Sequence, residues 1–229
     1  MLVYGKNVAL ELLKNNKKIE KAILQYNLKD NTVKTLLENR KINIEYADKK
    51  ELDRLAEGNH QGIILYISDY KYSELSTILE DEIIVILDHL EDPYNIGAII
   101  RTCEAAGITG IIIPKDRSAS INSTVMKTSV GAADNVKIVQ VANINQTITK
   151  LKSCDFWIVG TDMKGTDYKK IDYNGKIALV IGKESSGMSR LTKENCDFIA
   201  SIPMYGQINS LNASVSAGIM IYEVLKNKK

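Results

Sequence analysis

Residues 83–87, Ile-Ile-Val-Ile-Leu, form an unbroken apolar run, and the same texture returns at 110–113, 136–139, 156–161, 177–181 and 198–202. Short continuous runs of this kind are expected of strands buried on both faces of a parallel sheet. Helical periodicity fills most of the gaps, at 95–106, 122–130, 143–152 and 213–225. Strands alternating with helices predict a doubly wound α/β domain.

The first 70 residues have a different rhythm. Asn7 is placed to cap a helix over 8–14, followed by a strand at 21–26 and a helix opened by Asn31 and running to about Arg40. An alternating strand follows at 42–47. Asp48 and Glu51 then form a capping box for a third helix, and the turn cluster 58–62 leads into a strand at 63–67. A small two-layer α/β unit is expected. Between the two units, 69–82 is charged and has no core pattern beyond Leu75, Ile78 and Leu79. The expected organisation is a domain over 1–70, a linker over 71–82 with a helical turn or more, and a domain over 83–229.

Composition bounds the chemistry. With 229 residues, 45% hydrophobic and 25% charged, the chain is long enough for a core and reads as soluble. A net charge of +2 neither demands a polyanionic partner nor excludes a local basic patch. Cys103, Cys154 and Cys196 are far apart and form no metal spacing, and Cys103 and Cys154 sit in apolar contexts expected to bury them. Two histidines, His60 and His89, are too few for a histidine-rich metal centre, so no metal is expected. No signal peptide or membrane-length apolar run is visible, and a cytoplasmic protein with no membrane partner is expected.

The usual phosphate and hydrolase signatures are absent: no G-x-G-x-x-G follows the first strand of the second unit, and no full P-loop or G-x-S-x-G elbow occurs. Three loops after apolar runs stand out instead. The first is 88–97, Asp-His-Leu-Glu-Asp-Pro-Tyr-Asn-Ile-Gly, with Arg101 two turns further on. Gly97 allows another backbone to approach. Arg101 lies within Ala-Ile-Ile-Arg-Thr-Cys, and a guanidinium buried or half-buried there needs an acceptor partner. The second loop is 182–188, Gly-Lys-Glu-Ser-Ser-Gly-Met. The third is 201–216, where Pro203 and Gly206 break regular structure and Ser210 and Asn212 flank Leu211 before the last helix. Such a loop can present backbone groups to a ligand or simply cap the helix.

In this order, the three segments resemble the motifs of the SpoU/TrmH family of RNA ribose 2′-O-methyltransferases, within the SPOUT superfamily. Asp92-Pro93-Tyr94-Asn95-Ile96-Gly97 with Arg101 resembles the first motif, 178–182 with Glu184 and Gly187-Met188 the second, and Ile202-Pro203-Met204 with Ser210-Leu211-Asn212 the third. Tyr4-Gly5-Lys6-Asn7 and His60-Gln61-Gly62 resemble, more loosely, the family's L30e-like substrate-binding domain. The resemblance implies a deep trefoil knot in a mostly parallel C-terminal α/β domain, a homodimer formed through that domain, and S-adenosylmethionine bound in the knotted loops. Gly182, Ile202 and Leu211 match the family's cofactor contacts, with Thr161 and Met204 as further wall residues. Arg101 is implied as the catalytic residue, with Asn95, Glu184, Ser210 and Asn212 around it.

The protonated guanidinium has no lone pair, so two roles stay open for Arg101: an unusually deprotonated base, or a clamp on phosphate and developing alkoxide. Lys6, Lys115, Arg117 and Lys127 are loop or helix-start cations that could meet RNA phosphates. Residues 187–191 and 127–129 look closest to the branch that methylates a guanosine in 23S rRNA. The alternatives are a tRNA ribose methyltransferase, which usually carries a basic extension, and a non-catalytic RNA-binding ribosome-assembly factor.

Overall fold

The computed structural model describes every residue except Lys29, Asp30, Glu57, Glu184 and Lys229. The N-terminal unit runs β1 (Leu2–Tyr4), α1 (Lys6–Lys14), β2 (Ile19–Gln25), α2 (Thr32–Asn39), β3 (Ile44–Ala47), α3 (Lys49–Leu55) and β4 (Ile63–Ile67). Its sheet has the order β1-β4-β2-β3, antiparallel except for the parallel β2–β3 pair. Asp48 accepts a hydrogen bond from the Glu51 amide at 2.8 Å, as a cap at the head of α3 should. Asn7 does not cap α1. The helix starts one residue before it, and Gly5 occupies the cap position at φ 100°, a conformation open to glycine and strained for other residues.

The connecting segment is packed rather than loose. Ser73 bridges to Val139, a short 3₁₀ turn covers Leu75–Ile78, and Ile78 is fully buried. Beyond it come β5 (Ile83–Leu87), α4 (Pro93–Ala105), β6 (Gly110–Pro114), α5 (Ser123–Thr128), β7 (Lys137–Val141), α6 (Ile144–Lys152), β8 (Phe156–Asp167), β9 (Lys176–Ile181), α7 (Arg190–Glu194), β10 (Phe198–Ser201) and α8 (Ala213–Lys226). The six strands make one parallel sheet in the order β10-β8-β9-β5-β6-β7. Every side chain of β5 and β6 is buried, as their unbroken apolar runs require.

Two features of chain path build the site. In β8 the pairing to β10 jumps from Gly160 to Thr166, so the residues between leave the β10 ladder as a long bulge. After the edge strand β10, the chain crosses back through residues 202–212 to α8, which packs on β9 and α4 in the middle of the sheet. Gly97 makes a close approach between helices: a Cβ there would lie 2.6 Å from the Thr128 Cβ and 3.0 Å from the Val125 carbonyl. Only glycine lets α4 and α5 meet this closely. Cys103 is buried and burial pushes its thiol up to about 12, whereas Cys154 is only half-buried. Among the described residues, no helix is long and apolar enough to cross a membrane.

Candidate active site

The bulge of β8, the loop after β9 and the crossing segment after β10 enclose a cleft of about 350 Å³. Thr161, Asp162 and Met163 form one wall; Gly182, Lys183, Ser185, Ser186 and Gly187 form the second; Ile202, Met204, Asn209, Ser210 and Leu211 form the third. All five residues expected to hold a cofactor, Thr161, Gly182, Ile202, Met204 and Leu211, therefore line one cavity, together with Ser210. They come from three segments separated by up to 50 residues, which the parallel sheet brings to its carboxyl edge.

The second wall is held from below by a buried carboxylate. Asp88 ends β5, is 1% exposed, and accepts from the Ser189 amide at 2.9 Å through Oδ2. Its Oδ1 lies 2.5 Å from Nδ1 of His89. Lys183 and Gly187 exchange backbone hydrogen bonds of 2.8 and 3.2 Å, which closes the loop into a tight turn. Lys183 also reaches Glu91 at 2.6 Å. Gly182 is where the turn presses on itself: a Cβ there would stand 2.4 Å from the Met188 amide nitrogen and 2.5 Å from the Gly187 carbonyl carbon. Asp162 pairs with Lys193 at 2.7 Å. Partial burial works against its charge, but hydrogen bonds from the Lys193 ammonium and the Lys164 amide outweigh it and hold the carboxyl below its ordinary range.

Asn212 serves two purposes at once. Its Oδ1 caps α8, accepting from Ser214 N at 2.9 Å and Val215 N at 3.3 Å, while its Nδ2 donates to Oδ1 of Asn95 at 2.9 Å. The residue therefore caps the helix, as one reading of the loop expects, and also bonds to Asn95 in the first loop segment. Asn95 is 7% exposed, in the first turn of α4, so the pair ties the start of α4 to the start of α8. Replacing Asn212 with alanine is expected to cost about 1–2 kcal/mol, read as a lower urea midpoint, because the cap and a partly buried side-chain bond go together. Asn212→Asp keeps the cap acceptor, loses the Asn95 donor, and should fall between alanine and wild type.

Arg101 departs from expectation. It is exposed on α4, not half-buried, and among the described residues it has no hydrogen bond or ion pair. It does not line the cleft, and within the single chain it makes no hydrogen bond to Ser210 or Asn212. Ile96, Ile99, Ile100 and Cys103 point into the core, and Arg101 falls on the opposite face of the same helix. Glu184 lies outside the described residues. The cations divide into two groups. Lys6 opens α1 and Lys127 lies on α5, its ammonium 5.2 Å from the Tyr4 ring centre. Lys115 and Arg117 are exposed on the loop after β6, beside a second cleft lined by Asp88, His89 and Asn145. Ser185, Ser186 and Asn209, from the second and third loops read in the sequence, also line this cleft, as do Asp162 and Met163, which the sequence did not single out; they directly follow Thr161, and that adjacency was the available signal.

Comparison with known proteins agrees with this architecture. The family model described as the SpoU rRNA methylase family matches residues 82–222, and the model for RNA 2′-O ribose methyltransferase substrate binding matches residues 2–73. A Bacillus subtilis relative, the TrmH family tRNA/rRNA methyltransferase YacO, is 40% identical over 99% of this chain and 95% of its own length. The AdoMet-bound rRNA methyltransferase of Sinorhizobium meliloti superposes with a TM-score of 0.81 at 27% identity, covering 98% of this chain and 86% of that one. The SpoU methyltransferase AviRb of Streptomyces viridochromogenes, at 24% identity, shares the fold with a TM-score of 0.82 over 100% of this chain and 90% of its own. The mostly parallel α/β fold is that of the SpoU methyltransferase structures, and the chain belongs to the SpoU rRNA methylase family of RNA methyltransferases.

Proposed function

We propose that the chain transfers a methyl group from S-adenosylmethionine to the ribose 2′-hydroxyl of a guanosine in 23S rRNA, and that it does so as a homodimer in the cytoplasm. The observation that carries the cofactor assignment is the convergence of Thr161, Gly182, Ile202, Met204 and Leu211 on one cleft of about 350 Å³. The cleft fits the group. Ile202, Met204 and Leu211 offer apolar contact for a purine face, and Gly182 leaves its backbone open where a side chain has no room. When bound, the sulfonium supplies an activated methyl that leaves by in-line displacement.

The chain's own residues then position and exclude. Asp88 and the Lys183–Gly187 bridge hold the second wall rigid, so ordering it on binding costs little. Asn95 and Asn212 fix the start of α8, and with it the direction from which Ser210 faces the cleft. Arg101 meets the target ribose or its phosphate, as clamp or as base.

The exposure of Arg101 supports the dimer. α4 shows Tyr94 at 65% exposure and Arg101 on its outer face; α8 beside it shows Val215, Gly218, Ile219 and Tyr222, a stripe at helical spacing. A second copy laid on this face covers the apolar stripe and carries its Arg101 toward the neighbouring cleft. The unit over 1–70, with the segment 71–82 joining it to the rest, is the substrate-binding part in this reading.

The test is tritiated methyl incorporation into naked 23S rRNA, assembled large subunits and bulk tRNA, with nuclease digestion to locate the label on the 2′-oxygen. Label in 23S rRNA is expected. Label in tRNA alone moves the substrate to tRNA, and tight RNA binding without label anywhere points to an assembly factor.

A further inference from the structure

A second cavity, of about 340 Å³, lies between the two units, away from the methyl-transfer cleft. Val8 and Leu12 of α1 form one side, and Met126 of α5 with Val130 just after it forms the other. The rim is polar in a particular way. Asn7, Asn59 and Gln61 are all exposed there; each amide carries a donor and an acceptor, and the Gln61 oxygen, which accepts from the Lys6 amide at 2.9 Å, keeps a second lone pair. Lys127 stands at the lip, its ammonium over Tyr4.

The cavity is built rather than left by loose docking. Glu11 presses on Gly131 so closely that a Cβ there would lie 2.4 Å from the Glu11 Cγ, and Gly131 sits at φ 82°. Lys17 pairs with Asp134 across the units, and the Tyr70 hydroxyl donates to the Ala133 carbonyl at 3.0 Å. Val130 is held at φ 51°, a conformation that costs a β-branched residue, and is still 52% exposed. An exposed valine held in place on the wall of a fixed cavity offers apolar surface that a flat apolar occupant would take out of water.

We propose that this inter-unit cavity takes one unstacked nucleotide of the RNA substrate, a site additional to the methylated nucleotide; the inference rests on the RNA-methyltransferase reading. The base lies against Val8, Met126 and Val130, its edge meets the Asn7, Asn59 and Gln61 amides, and Lys127 takes the adjoining phosphate. Three amides that can both donate and accept match a base edge, which offers both in turn, and a lipid chain would leave them unused. The location also fits one strand serving two sites. α5 separates the cavity from α4, with Val125 and Ser129 against Gly97, two residues beyond Asn95.

The test uses the full chain and a 23S rRNA transcript as probe. Asn7→Trp and Val130→Trp fill the cavity from exposed positions, and Lys127→Glu reverses the charge at its lip. Each is expected to weaken RNA binding about tenfold or more, with S-adenosylmethionine affinity and Tm unchanged. Benzoylphenylalanine at Val130 should cross-link to an unpaired base within a few nucleotides of the methylated one. If the wild-type chain methylates the transcript and all three variants bind it normally, or the cross-link goes only to protein, the cavity inference alone is wrong. If the wild-type chain neither binds nor methylates RNA, the RNA-methyltransferase reading fails and takes this inference with it.

Discussion

Arg101→Ala is expected to lower the rate of methyl transfer by about 10²–10⁴-fold while S-adenosylmethionine binds as before. The two halves of this expectation have separate grounds. Arg101 does not line the cofactor cleft, so calorimetric titration with S-adenosylmethionine should not register its loss. The 2′-hydroxyl must give up its proton during attack, and a guanidinium brought beside the developing alkoxide or its phosphate is a strong aid to that. Arg101→Lys keeps a charge but not the planar fork, and should recover only a small part of the rate. Wild-type turnover in Arg101→Ala would remove the residue from the mechanism.

Mixed dimers decide which copy Arg101 serves. Equal amounts of Arg101→Ala and Gly182→Ala chains, unfolded and refolded together, give mixed dimers in half of the molecules. If Arg101 works across the interface, each mixed dimer has one complete site: the intact cleft of one chain with the intact arginine of the other. Activity then recovers to roughly a quarter of wild type. If Arg101 works within its own chain, no site in the mixture is complete and no activity returns.

What could be read from the sequence follows from what each element buries. β5 and β9 lie inside the sheet with every or nearly every side chain buried, so they wrote themselves as apolar runs. β1 has three residues and α7 five, too short for either period to show. β8 was legible only to Thr161, because beyond it the chain leaves the β10 ladder as Asp-Met-Lys-Gly and no longer needs an apolar face. Asp162 and Met163 of this stretch line the cleft, so the pattern is lost where the chain turns to enclose it. Arg101 shows the opposite error. Its neighbours Ile99, Ile100 and Cys103 are fully buried, yet each helical residue turns about 100° from the one before, so a flanking apolar residue says little about the face between. The site residues came from motif resemblance. The convergence of Thr161, Gly182, Ile202, Met204 and Leu211 on one cleft is a property of strand order, which no local pattern records.

Gly182→Ala is expected to cost the chain its cofactor. The new methyl group would stand 2.4 Å from the Met188 nitrogen and 2.5 Å from the Gly187 carbonyl carbon, and both obstacles are backbone. No rotamer change relieves them, so Gly187 and Met188 must shift away from Gly182. That movement strains the paired hydrogen bonds between Lys183 and Gly187, and displaces Lys183, Ser185, Ser186 and Gly187 from the cleft they line. Overpacking of this kind costs about 1–3 kcal/mol, which should appear as a lower Tm. The larger effect is on the ligand: S-adenosylmethionine affinity should fall more than about tenfold, each tenfold being about 1.4 kcal/mol. Gly206→Ala is the matched control, since nothing lies within 4 Å of a Cβ there and its backbone needs no positive φ. It should bind and turn over as wild type does. Equal S-adenosylmethionine affinity in the two variants would mean that the loop after β9 is not a wall of the cofactor site, and the assignment of this cleft would have to be withdrawn.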